Sequence, residues 1–148
     1  MAECNTALAV PIESTILPNR RLSIYFASKI YHAETGKILA TEWTEFNWTA
    51  RWPVHHVGKV PEHHQQFSRL FWQHDYEDVA KADVTMVWAR PDDNLRGALV
   101  EAGIAIGLGK MVLVVGENEN YGTWQYHPSV LRATDLEEAR QILRTLAL

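Results

Sequence analysis

Apolar residues in this chain form short unbroken runs, separated by longer stretches whose apolar positions recur every three or four residues. Leu22 to Ala27 predicts a buried strand, followed by a turn at Ser28-Lys29 and a helical pattern from Tyr31 to Glu42. Thr44 to Trp52, rich in Thr and aromatics, suits a second strand ended by Pro53, with Trp48 and Trp52 on one face. Val54 to Pro61 reads as a loop. Glu62 to Lys81 predicts a long helix burying Phe67, Leu70, Phe71 and Val79. Val84 to Ala89 and Met111 to Val115 are uninterrupted strand runs; between them lie a polar loop, Arg90 to Arg96, and an apolar helix, Gly97 to Leu108. A polar, aromatic loop from Glu117 to Pro128 leads to a short last strand, Val130 to Arg132. Asp135 then caps a final helix ending near Leu146.

Strands that alternate with helices, and are apolar without a period of two, indicate a parallel sheet covered on both faces. The expected fold is α/β: a flavodoxin-like (Rossmann-like) three-layer sandwich whose mostly parallel sheet has four to five strands. Residues 1–20 hold Pro11 and Pro18 and no Lys or Arg before Arg20, so they read as an N-terminal arm and not a signal peptide. Residues 21–148 read as a single domain. In open sheets of this type ligands bind outside the carboxyl ends of the strands. That rule selects the segments after Phe26, Ala89 and Val115.

Composition narrows the function classes. Fourteen basic against eighteen acidic residues give a net charge of −4. This balance argues against polymeric nucleic acid, whose binding needs a basic face. Cys4 is the one cysteine, so no internal disulfide forms and a reducing cytoplasm is the natural setting. The longest apolar run, Met111 to Val115, is too short to span a bilayer. Seven histidines, among them His55, His56, His63, His64 and His74, show no zinc-ligand spacing, so no metal is expected. Six tryptophans suggest either a stacking wall for a base or a core and interface role. The core or interface reading is the more economical for Trp43, Trp48, Trp52 and Trp72.

The helix from Gly97 to Leu108 is apolar almost all round, which predicts burial on most sides, and it carries one charged residue, Glu101. Burying a lone carboxylate is costly, so it must be paired, hydrogen-bonded or kept reactive. Near a helix start the dipole favours a negative charge by about 0.3–1 kcal/mol. Glu101 is therefore expected to stay ionised, as a nucleophilic carboxylate must. An acid facing solvent would look the same at this level. Asp75, Glu77, Asp78 and Asp83 form a second acidic group, and spacing alone does not choose among them.

Four segments then occur in consistent order: Ile24-Tyr25-Phe26-Ala27-Ser28, His74 to Asp83, Gly97-Ala98-Leu99-Val100-Glu101-Ala102-Gly103, and Gly109-Lys110-Met111-Val112. Together they resemble the nucleoside 2-deoxyribosyltransferase superfamily, which includes the nucleoside 5′-monophosphate N-glycosidases. The resemblance runs from about Leu22 to Leu143. It implies that Glu101, in the Glu-Ala-Gly that matches the family's motif, attacks the sugar C1′. It implies that Asp75 positions the sugar or handles the base proton, and that Tyr25 and Ser28 line the sugar pocket. The loop ahead of the catalytic helix makes Asp93, Arg96 and Gly97 candidate substrate contacts, although Asp92 to Arg96 matches the family's pattern only to within a residue or two. Lys29 departs from the arrangement in phosphate-specific relatives, so the presence of a 5′-phosphate stays open. The loop after the fourth strand, with Trp124 and His127, corresponds to a region that in the family reaches a neighbouring subunit's pocket, implying a homo-oligomer. The implied chemistry is N-glycosidic cleavage of a nucleoside or nucleoside monophosphate, by hydrolysis or deoxyribosyl transfer, without a cofactor. Two other readings stand beside it: a nucleotide-sensing domain without turnover, and an NAD-type glycohydrolase on the same fold.

Overall fold

The computed structural model describes residues 21–29, 32–51 and 64–148. In chain order the elements are β1 (Ser23–Ala27), α1 (Ala33–Glu42), β2 (Asn47–Trp48), α2 (His64–Lys81) and β3 (Val84–Trp88). There follow α3 (Gly97–Gly107), β4 (Met111–Val115), two short 3₁₀ turns, β5 (Val130–Ala133) and α4 (Leu136–Leu146). The strands pair in the order β2-β1-β3-β4-β5, every pair parallel. This is the flavodoxin-like order, and its switch point lies between β1 and β3. The expected α/β three-layer sandwich is what the chain builds. The N-terminal arm and the loop from Val54 to Pro61 lie outside the described residues.

Alternation along each strand divides the interior into two cores. Tyr25, Ala27, Val87, Val112 and Val114 point toward α2 and α3, where Val79, Ala98, Ala102 and Ala105 meet them. Ile24, Phe26, Met86, Leu113 and Val115 point the other way, onto Leu39 of α1 and Ala139 and Leu143 of α4. Alanine at 98, 102 and 105 lets α3 lie close to the sheet. Asp135 caps α4 as expected, accepting from the Glu138 N–H at 2.8 Å, while Glu138 accepts from the Thr134 N–H at 2.7 Å. Gly116, just past β4, has φ +84, and a Cβ there would lie 3.0 Å from the Ala89 carbonyl oxygen. Only glycine fits that close crossing of two strand ends.

Three expectations need correction. The second strand is two residues long, not Thr44 to Trp52, because Trp43 and Phe46 turn into the α1–α4 core at 5% and 3% exposure. Their rings pack with Trp48, whose indole N–H donates to the Trp43 carbonyl at 3.2 Å. Trp43 and Trp48 thus serve the core, and Trp52 lies outside the described residues. Leu70, expected to be buried, is 44% exposed, since α2 turns Asp75, Asp78 and Val79 inward instead. Helix α3 is not enclosed on most sides: Val100, Gly103, Gly107 and Leu108 form an outward stripe of a helix laid on a sheet. No helix among the described residues is long and apolar enough to cross a membrane.

Candidate active site

A cavity of about 530 Å³ opens at the carboxyl end of β1, beside the switch point. Its floor is formed by Tyr25, Asp75 and Glu101, contributed by β1, α2 and α3. Phe26, Ser28, Lys29, Ala33, Ala50, Arg51, Trp72, Asn94, Arg96, Gly97 and Ala98 line the rest of it.

The floor brings a phenol and two carboxyls together. The Tyr25 hydroxyl donates to Glu101 Oε2 at 2.8 Å, across a sequence separation of 76 residues. Asp75 lies close enough for its carboxyl to act on Glu101 and Tyr25. Burial raises the Glu101 carboxyl well above its ordinary value, and the charge on Asp75 raises it further. Asp75 is raised as well, first by burial. Tyr25 is pushed up by burial and by the Glu101 charge, so its hydroxyl stays a donor. A charge on one carboxyl disfavours ionisation of the other, so the two titrate as a coupled pair. Burial and the Asp75 charge act against the ionised form expected from the helix dipole. Glu101 lies beyond the first turn of α3, where the dipole has faded, and desolvation dominates.

Neighbouring acids are sorted by helical geometry. Asp78, three residues on from Asp75, is 2% exposed and binds Arg51 through Nε at 3.0 Å and Nη2 at 2.8 Å. Glu77 meets the same guanidinium at 3.1 Å. Asp83 accepts from the Ser23 N–H at 2.8 Å and ties the foot of β1 to β3. Of this group Asp75 alone lines the cavity.

Among the other expected contacts, Ser28, Arg96 and Gly97 line the cavity along with Tyr25. The Ser28 hydroxyl donates to the Trp88 carbonyl at 2.6 Å, which leaves its lone pairs as acceptors. Asp93 is not among the lining residues. Its Oδ2 lies 2.8 Å from His32 Nε2 and accepts from the Arg90 N–H at 2.8 Å, so it shapes the loop instead. Trp124 and His127 are not among them either: the Trp124 indole donates to the Asn120 carbonyl, and His127 Nδ1 accepts from the Ser129 N–H. Lys29, Ala33, Ala50, Arg51, Trp72 and Asn94 line the cavity without a local pattern that marks them as contacts. Arg51 is hidden in the sequence by the over-long second strand, and the buried His32 sits one residue before α1, where no periodicity points to it. Among the described residues no group of three or more His, Cys, Asp or Glu side chains is placed to hold a metal ion. His55, His56 and His63 lie outside them.

Comparison with solved structures shows the same fold elsewhere. Clostridium botulinum CMP N-glycosidase, BcmB, aligns with a TM-score of 0.52 and 18% identity, over 84% of this chain and 98% of that one. A conserved protein from Enterococcus faecalis V583 aligns with a TM-score of 0.56 and 13% identity, over 86% and 99%. At these identities the likeness is one of fold. The sequence matches no family model and no curated protein.

Proposed function

We propose that this chain cleaves the N-glycosidic bond of a nucleoside or nucleoside monophosphate, with Glu101 as nucleophile. The observation that carries the reading is the buried Tyr25–Glu101–Asp75 cluster at the base of a substrate-sized cavity. The fold shared with a CMP N-glycosidase and the resemblance of the four sequence segments support it.

The chemistry requires one proton between the two carboxyls, which the upward shift of both favours. When the proton passes to Asp75, Glu101 becomes a carboxylate, and the Tyr25 hydroxyl steadies it. Glu101 then attacks C1′ as the bond from C1′ to the base nitrogen breaks, and Asp75 gives its proton to the departing base. Water, deprotonated by Asp75, hydrolyses the resulting glycosyl ester; an incoming base in place of water gives transfer. Lys29 and Arg96 bring positive charge to the walls above an acidic floor, while the charge of Arg51 is engaged by Asp78 and Glu77. This chemistry invokes neither metal nor cofactor.

The test is release of free base, followed chromatographically, from a panel of ribo- and deoxyribonucleosides, their 5′-monophosphates and NAD. Base release that falls at least about 10³-fold in Glu101→Gln supports the reading, a loss of the size expected when a nucleophile is removed. Release unchanged in that variant sinks it. Release from NAD alone would assign the site to a glycohydrolase, and binding without release would assign it to a sensor. Adding a second base separates transfer from hydrolysis.

A further inference from the structure

We propose that Trp72 is the platform on which the base of the substrate stacks; the inference rests on the reading above and specifies its base-binding side. Trp72 stands three residues before Asp75 on α2, so the two side chains are neighbours on one face of the helix. Both line the cavity. Asp75 meets Glu101 at the floor, and Trp72 lies one turn nearer the start of α2.

Packing singles out this indole. Trp43, Trp48, Trp88 and Trp124 each lie against another aromatic ring. Among the described residues Trp72 stacks on no ring, and its N–H has no hydrogen-bond acceptor. It is 38% exposed while lining a cavity. Its benzo edge rests beside bare backbone at the start of α3: a Cβ built on Gly97 would lie 3.7 Å from Cη2 and 3.8 Å from Cζ2. The ring is therefore held along one edge and left without an aromatic partner. A base joined to C1′ beside Glu101 and Asp75 comes within reach of this ring, because adjacent turns of a helix place Cβ atoms about 5–6 Å apart. Stacking on an indole face suits any base and makes no demand on charge.

The experiment measures binding in the Glu101→Gln background, where turnover does not interfere, by calorimetry with nucleoside 5′-monophosphates and with ribose 5-phosphate. Adding Trp72→Ala is expected to weaken nucleotide binding about 5- to 100-fold. Ribose 5-phosphate, which has no base, is expected to bind within about twofold of the parent. Trp72→Phe is expected to recover most of the lost nucleotide affinity, while the quenching of tryptophan emission by bound nucleotide disappears. Unchanged nucleotide affinity in Trp72→Ala overturns the proposal, as does equal weakening of both ligands. So does a change confined to the sedimenting mass, which would make Trp72 an interface residue. If Trp72→Ala leaves affinity intact while the parent chain releases base, the platform alone is lost. If the parent chain neither releases base nor binds any nucleotide, the function and the platform fall together.

Discussion

Glu101 lies in the second turn of an alanine- and glycine-rich helix, 8% exposed, with its carboxyl against a phenol and a second carboxyl. Such a group is a standing cost to the fold. Its folded-state pKa is raised above the ordinary 4.5, so the folded chain holds this proton more tightly than the unfolded chain does. The stability tied to Glu101 is therefore fully present below about pH 4.5. It is lost as pH rises from there toward the raised value. Glu101→Gln keeps the acceptor for Tyr25 and removes the titration. The variant is expected to match the parent near pH 4 and to be more stable at pH 7 by about 0.5–2 kcal/mol. Thermal unfolding across that pH range checks this; a difference that does not grow with pH would contradict it. Function is thus expected to cost stability at this one residue.

At the scale of elements, the cavity walls are loops fixed by polar clamps. The Asn118 amide donates to the carbonyls of Arg90 and Asp93, both at 2.8 Å, and the Asn120 side chain accepts from the Leu95 N–H at 2.9 Å. With the His32–Asp93 contact, they set the loop that delivers Asn94 and Arg96 to the cavity. A second clamp works on the far face. Arg140 grips Glu45 through Nε at 2.8 Å and Nη2 at 2.9 Å, and Arg144 adds a contact at 2.8 Å, tying α4 to the turn before β2. These hydrogen bonds lower the Glu45 carboxyl to about 2. The stability it contributes is present above the ordinary 4.5 and is lost as pH falls toward 2. Glu45→Gln is expected to cost about 0.5–1 kcal/mol at pH 7, a modest figure because solvent reaches this partly exposed pair. The cost should vanish near pH 2, as denaturant titrations at the two pH values would show.

For the whole molecule, one sheet serves two cores, and neighbouring residues of a single strand belong to different layers. Tyr25 faces the site, while Ile24 and Phe26 face α1 and α4. Loosening the far layer must therefore disturb the strand that holds Tyr25, so the described layers unfold together. Leu143→Ala, at a fully buried position on α4, is expected to destabilise by about 2–5 kcal/mol. The denaturation midpoints from far-UV and near-UV circular dichroism should fall by the same amount. Separate midpoints would mean that the two layers unfold independently.

The sequence by itself determined the kinds and order of the elements. Unbroken apolar runs between helical patterns demand a parallel sheet with two covered faces, and Asp135 marks the start of the last helix. A lone glutamate in an apolar helix is conspicuous in the sequence alone. These are properties of a chain segment and its own solvent exposure, so local pattern records them. What tertiary structure decided is which side chains meet. Tyr25 reaches Glu101 across 76 residues; Asp75 joins them, while Asp78 goes to Arg51. Asp93 turns to His32, and Trp124 and His127 bond within their own loop. Strand register and the placing of α2 and α3 on the sheet fix those encounters, and neither is written in any local stretch. The upward shift of the Glu101 carboxyl was decided at the same level. A helix dipole can be read from position, but desolvation and a neighbouring carboxyl exist only once the elements have packed.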